Sequence, residues 1–225
     1  ELNKIEFEKV IDKEYNKQSG GLSMAEVIKS INENTDGNSI LVTDVGQHQM
    51  IACRYMNFNK SKSNITSGGL GTMGFALPAA LGAKIGDPRR EVIAVIGDGG
   101  FQMTIQELGT IFQTSSSVKI VILNNEYLGM VRQWQQLFFD KRYASTEMTN
   151  PDFVTISKGY FIESKRVSHR KELNSSIKQM LSHDGPYLLE VCVEKEENVF
   201  PMIPSGSSVS VSYTHLRAHE TRYHL

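Results

Sequence analysis

The chain has 225 residues, 40% of them hydrophobic and 22% charged, a composition that supports a packed core and excludes disordered, collagen-like and coiled-coil classes. Its 24 Lys and Arg against 25 Asp and Glu leave a formal charge of −1, so no basic excess draws nucleic acid or an anionic membrane. The two cysteines, Cys53 and Cys192, form no CxxC and stand far apart; they read as core residues rather than disulfide or zinc ligands, with a reducing cytoplasm as the expected compartment.

The chain opens Glu1-Leu2-Asn3-Lys4, with neither initiator Met nor apolar leader, and reads as beginning inside a longer protein. Residues 1–22 are polar and end Gln18-Ser19-Gly20-Gly21, a linker from an upstream domain. Ser23 and Glu26 make a capping box, and Met24, Val27, Ile28 and Ile31 recur at helical spacing until Asp36-Gly37. A strand over 40–45 precedes a short helix from Gln47 to Tyr55, and Ile65-Thr66 leads through a glycine-rich loop to an Ala-rich helix from Phe75 to Lys84. Glu91 to Ile96 is a strand ending in Gly97-Asp98-Gly99-Gly100, followed by a helix through Gln113 and a strand from Val118 to Leu123. A less regular stretch separates these from a helix over 152–158, an extended run over 161–167, a helix over 172–181 and a buried strand over 187–193. The alternation predicts an α/β fold, a parallel sheet of about six strands with helices on both faces. The apolar runs, such as Val92 to Ile96, are far short of the roughly 20 residues that cross a bilayer. From Val211 the character changes: residues 211–225 hold three of the six His and no apolar face, and read as a frameshift, adaptor read-through or cloning scar rather than a metal site at His215 and His219.

In such sheets ligands bind beyond the carboxyl ends of the strands, which directs attention to the loops after Val45, Thr66, Ile96 and Leu123. Gly97-Asp98-Gly99 ends one apolar strand and, after 24 intervening residues, Asn124-Asn125 ends the next. Bare glycines let backbone approach a phosphate, and a helix N-terminus adds free N–H groups. Asp98 supplies a hard anionic oxygen and Asn125 a neutral one, leaving places in an octahedral shell for phosphate oxygens and water, as magnesium prefers.

These motifs, with Val45-Gly46-Gln47-His48-Gln49-Met50, Thr66 to Phe75, Asn124 to Trp134, Lys141-Arg142-Tyr143 and Asn198 to Pro204, resemble the thiamine-diphosphate enzymes, and within them the acetolactate synthase (acetohydroxyacid synthase) family, over about residues 19–210. The resemblance implies a diphosphate-binding domain over 23–197 and an arm over 198–210 that closes on the site. It implies that Asp98, the Asn125 side chain and the Tyr127 carbonyl hold magnesium. Gln47, His48, Gly99 and Gly100 would meet the diphosphate, Gly71 and Met73 the aminopyrimidine through their main chains, and Met103 would prop the cofactor's bend, with Val45, Gly97 and Met130 also against the cofactor. Met130 and Trp134 would line the substrate pocket, the indole favouring 2-ketobutyrate over pyruvate as acceptor by a few kcal/mol at most. Gly100 stands where many relatives have Ser, a change expected to cost at most one hydrogen bond to phosphate. The implied reaction joins the two-carbon unit of pyruvate to a second 2-oxoacid, giving 2-acetolactate or 2-aceto-2-hydroxybutyrate for branched-chain amino-acid synthesis. The family's catalytic Glu and most FAD contacts belong to domains without a match here, so the chain is expected to be inactive alone; the whole enzyme would be a homodimer or tetramer, with a regulatory small subunit as a further partner.

Blander readings stand beside these. Gly69-Leu70-Gly71-Thr72-Met73-Gly74 satisfies GxGxxG, the dinucleotide fingerprint, though its preceding strand is short and no acidic residue follows at the right distance. Asp98 alone is a helix cap, Asn124-Asn125 alone a turn, and His48 an ordinary helix-start residue. Met103, Met130 and Trp134 are the kinds of residue that fill cores, and His169 and His183 flank a helix with no role assigned. Two readings therefore compete with the acetolactate synthase fragment: another thiamine-diphosphate enzyme (a 2-oxoacid decarboxylase, pyruvate oxidase or glyoxylate carboligase), and a non-catalytic nucleotide-binding module.

Overall fold

The computed structural model describes residues 14–17, 19–203 and 206. Residues 1–13 and 18 of the expected linker, 204, 205 and 207–210 of the expected arm, and the whole 211–225 tail lie outside the described residues.

Helix α1 (Met24–Thr35) begins as its capping box requires: the Ser23 hydroxyl accepts from the Glu26 amide at 3.1 Å, and the Ser23 amide donates to the Glu26 carboxylate at 2.9 Å. It ends where Asp36 and Gly37 take positive φ. There follow β1 (Ile40–Thr43), α2 (Gln47–Tyr55), β2 (Asn64–Thr66), α3 (Ala76–Gly86) and β3 (Val92–Gly97). Then come α4 (Asp98–Met103), α5 (Glu107–Gln113), β4 (Val118–Asn124), α6 (Gly129–Phe138), α7 (Phe153–Gly159), β5 (Glu163–Val167), α8 (Arg170–Ser182) and β6 (Tyr187–Cys192).

The six strands form one sheet in the order β2-β1-β3-β4-β6-β5, every adjacent pair parallel. Parallel pairing needs a crossover between strands, and the helices that supply it cover both faces, so the central strands are almost wholly buried and mostly apolar, Lys119 in β4 and Glu190 in β6 being the buried charges. Side chains alternate across the sheet. Val92, Ala94, Ile96, Ile120 and Ile122 pack with α3, α5 and α7, while Ile93, Val95, Val121 and Leu123 pack with α1, α2 and α8.

Three details depart from expectation. The single helix expected through Gln113 is two, broken around Thr104, whose hydroxyl instead donates to the Gly74 carbonyl at 2.9 Å and fastens the glycine-rich loop. The stretch read as irregular contains α6, whose amphipathicity is largely inverted: it buries Arg132 and Gln133 beside Leu137 and leaves Val131, Trp134 and Phe138 exposed, so most of its apolar residues do not mark its core side. The cysteines are not core residues; Cys53 is exposed on α2 and Cys192 half-buried at the end of β6. Among the described residues no helix is long and apolar enough to cross a membrane.

Candidate functional site

From β1 the chain turns outward to β2, then returns across to β3 on the other side, so the loops leaving β1 and β3 diverge from neighbouring strands. Such a switch point opens a crevice at the carboxyl edge of the sheet. A cleft lies there, lined from β1 by Val45, Gly46, Gln47 and His48, from β3 by Gly97 to Gly100, and from β4 by Asn125, Tyr127 and the start of α6.

On the β1 side, Asp44 is fully buried, and its two carboxylate oxygens accept from the amides of Gly74 at 3.0 Å and Ala76 at 3.1 Å. It thereby caps α3 and fixes the loop before it. His48 lies in a slot whose walls are bare backbone: a Cβ at Gly46 or at Gly97 would stand 2.9 Å from the imidazole. Burial of that ring pushes its pKa down to about 4, against the opposing pull of Asp44, so the imidazole is neutral near pH 7. Its Nε2 is buried without a hydrogen-bond partner among the described residues. An orphaned ring nitrogen in a polar cleft is a group built for a ligand to satisfy.

On the β3 side, Asp98 opens α4 and is 1% exposed. Burial raises its pKa to about 6; the Asn150 side chain and the amides of Asp98, Gly99 and Glu126 draw it back toward ionisation. Gly99 lets the Leu128 side chain sit against it, since a Cβ there would stand 2.6 Å from the Leu128 Cδ2 and push that side chain aside. Gly100 corrects an expectation. A Cβ there would stand 1.8 Å from the Asp44 carboxylate, which occupies the room a larger residue would use, so Ser at this position would displace Asp44 rather than merely add a bond to phosphate.

At the end of β4, the Asn125 side-chain oxygen accepts from the Tyr127 amide at 3.3 Å, and its nitrogen faces Gln47 Oε1 at 3.5 Å. Gly129 makes this meeting possible, for its Cβ would fall 2.1 Å from the Gln47 oxygen. The amide of Gln47 continues to the Gln133 Oε1 and the Glu197 carbonyl, both at 2.9 Å. Gln133 exchanges two bonds with the Val199 backbone, and Arg132 holds the Glu197 carbonyl and the Asn198 side chain. The described part of the expected arm is thus latched to α2 and α6 beside the cleft.

The cleft gathers Val45, Gln47, His48, Met73, Gly97, Asp98, Gly99, Gly100, Asn125, Tyr127 and Met130. Three expected residues stand outside its lining. Gly71 occupies a turn with φ 62, its amide bonded to the Ser67 carbonyl; Met103 is 52% exposed at the end of α4; Trp134 is 54% exposed on the outer side of α6. Neither Met103 nor Trp134 is a core filler. Residues not singled out from sequence also build the site: Asp44, Leu128, Gly129, Gln133 and Asn150. Only Gly129, a glycine within an apolar helix-forming run, offered a local signal.

The dinucleotide reading of residues 69–74 does not hold. The amides of Gly74, in the loop, and Ala76, the first residue of α3, are taken by Asp44 rather than free for a pyrophosphate, the loop leaves a three-residue edge strand, and Leu70 at its tip is 93% exposed. Among the described residues no three His, Cys, Asp or Glu side chains gather around a metal position. One carboxylate, one amide oxygen and one carbonyl form a different kind of donor set, all hard oxygen and incomplete without a ligand's own oxygens, which suits a magnesium ion bound together with a phosphate ester.

Residues 44–191 match the family described as thiamine pyrophosphate enzyme, C-terminal TPP binding domain. The chain is 44% identical over 185 residues to the acetolactate synthase isozyme 2 large subunit of Escherichia coli (strain K12), covering 82% of this chain and 34% of that protein. It is 44% identical over 193 residues to the acetolactate synthase large subunit of Lactococcus lactis subsp. lactis (strain IL1403), covering 85% and 33% respectively. With acetolactate synthase 1, chloroplastic, of Oryza sativa subsp. japonica it shares 44% identity over 189 residues, 80% of this chain and 29% of the other. The chain therefore spans about a third of the length of the curated relatives it matches.

Proposed function

This chain belongs to the thiamine pyrophosphate enzymes, as a C-terminal TPP-binding domain, and we propose that it is the diphosphate- and magnesium-binding third of an acetolactate synthase large subunit. One observation carries the assignment of the site: at the β1/β3 switch point a neutral, unpartnered His48, a row of bare glycines and the buried Asp98 beside the Asn125 loop line one cleft. Asp98, the Asn125 oxygen and the Tyr127 carbonyl would hold Mg2+. His48, Gln47 and the amides of Gly99 and Gly100 would bind the diphosphate, the imidazole donating its N–H to an anionic oxygen. The backbone at Gly71 and Met73 would meet the aminopyrimidine, with Val45 and Met103 against the rest of the cofactor.

When bound, thiamine diphosphate supplies the electron sink for decarboxylating a 2-oxoacid and passing on its two-carbon unit. The chain's own contribution is positional and electrostatic. Met130 and Trp134 would wall the acceptor's side, and the arm held by Gln133 and Arg132 would exclude water from it. The domain division (linker 1–22, domain 23–197, arm 198–210), the homodimer or tetramer, FAD in the full-length protein, a regulatory subunit, 2-oxoacid substrates and a cytoplasmic setting all belong to this reading.

The test is a chimera in which residues 19–210 replace the matching third of the Escherichia coli relative. The reading predicts that it condenses pyruvate to acetolactate. Release of acetaldehyde without carboligation would instead favour a decarboxylase of the same superfamily.

A further inference from the structure

Of the adjacent pair Asn124-Asn125, the magnesium reading employs only the second. Asn124 is nonetheless buried, and its neighbours define what it does. Its oxygen accepts from the Glu126 amide at 3.1 Å and from Asn150 Nδ2 at 3.0 Å; its nitrogen donates to Glu190 Oε1 at 2.8 Å. Glu190, on β6, is 1% exposed and is paired through its other oxygen with Arg166 at 2.8 Å. Asn150 Nδ2 donates a second bond, at 2.7 Å, to Asp98 Oδ2, and its oxygen accepts from Gln102 Nε2 at 2.9 Å. Every amide in the series Arg166, Glu190, Asn124, Asn150, Asp98 is thereby fixed in one orientation: each donor meets an acceptor, and a flip of Asn150 would set its oxygen against the Asp98 carboxylate and its nitrogen against the Gln102 donor.

We infer that Asn150 is a positioning residue that occupies one oxygen of Asp98 and so restricts this carboxylate to a single-oxygen contact with the bound cation. The inference rests on the reading of Asp98 as a magnesium ligand. Mg2+ demands a near-ideal octahedron of single-oxygen ligands, whereas Ca2+ accepts two oxygens of one carboxylate and a looser shell. A donor anchored through Asn124 to the buried Glu190, itself paired with the partly exposed Arg166, holds the carboxylate in the orientation that suits the smaller ion. Partners behind a ligand commonly change metal affinity by about 10–100-fold when removed. Nothing local in the sequence marks Asn150, which lies 52 residues from Asp98 in the chain.

The experiment is calorimetric titration of thiamine diphosphate into the full chain at graded Mg2+ and, separately, graded Ca2+, for the wild type, Asn150→Ala and Gln102→Ala. Asn150→Ala is expected to raise the Mg2+ concentration for half-maximal binding about tenfold while raising that for Ca2+ much less, and Gln102→Ala to move the ratio the same way by a smaller factor. Should Asn150→Ala fail to fold, Gln102→Ala, which leaves Asn150 in place but unpinned, carries the same comparison. Equal shifts for both ions, or none, in a folded variant would overturn the positioning role while leaving the magnesium reading intact. Cation-independent binding by the wild type would instead remove the magnesium reading, and this inference with it.

Discussion

Asp98 is held where its charge is disfavoured, and the sign of that effect is testable. Its pKa rises from 3.8 to about 6 in the native state, so folding favours the protonated form. The native state is therefore penalised above about pH 6, by up to ~3 kcal/mol, and unpenalised below the unfolded value near 3.8. In the absence of divalent cations, Asp98→Asn should melt higher than the wild type at pH 8, with the gap closing toward pH 4; a melting point unchanged at pH 8 would contradict the burial argument. His48 behaves oppositely. With its pKa lowered from 6.5 to about 4, its stabilising neutral form is fully effective above pH 6.5 and is lost as pH falls toward 4, because the unfolded chain takes a proton the native ring refuses. Urea unfolding at pH 7 and pH 5 should accordingly show a smaller loss for His48→Gln than for the wild type, the difference being about 2 kcal/mol. Gly100→Ser should destabilise by about 2–3 kcal/mol through displacement of Asp44 from two buried amides, and a variant as stable as the wild type would mean that the carboxylate has another place to go. At this scale the sequence was legible where a motif is contiguous, as at Gly97 to Gly100 and Asn125. It was silent on Asp44 and Asn150, whose partners lie 30 and 52 residues away and whose types are common in any loop.

Elements were readable in proportion to how their apolar residues face. Helix α1 announces both ends, and the strands β3 and β4 are fully buried runs of the kind only a covered parallel sheet accommodates. Helix α6 was hard to read because its buried face is mostly polar: beside Leu137, Arg132 and Gln133 hold backbone carbonyls of residues 197 and 199, a task apolar residues cannot perform. The same bonds yield a prediction. Gln133→Ala removes both contacts to Val199, so the Val199 amide should exchange with deuterium at least about tenfold faster, while the β3 amides keep their protection. Unchanged exchange at Val199 would show that the arm is held by Arg132 and Arg54 alone. The break between α4 and α5 was likewise hidden, since Thr104 departs from helical geometry to reach Gly74, a residue 30 positions earlier.

For the molecule as a whole, alternating strands and helices were enough to predict a parallel sheet, but not the strand order that creates the switch point between β1 and β3. That order is a property of long-range pairing, and it brings the three loops together. Leu70, Met103, Val131 and Trp134 are all largely exposed, apolar surface of the kind that a further domain or a second subunit of the proposed enzyme would cover. The central claim is that this edge of the sheet binds thiamine diphosphate through magnesium, and calorimetric titration of the cofactor into the chain, with Mg2+ and with the ion chelated, tests it most directly. The account predicts saturable binding that requires Mg2+ and is abolished in Asp98→Ala. Binding of equal strength without Mg2+, or retained in a folded Asp98→Ala, would contradict it.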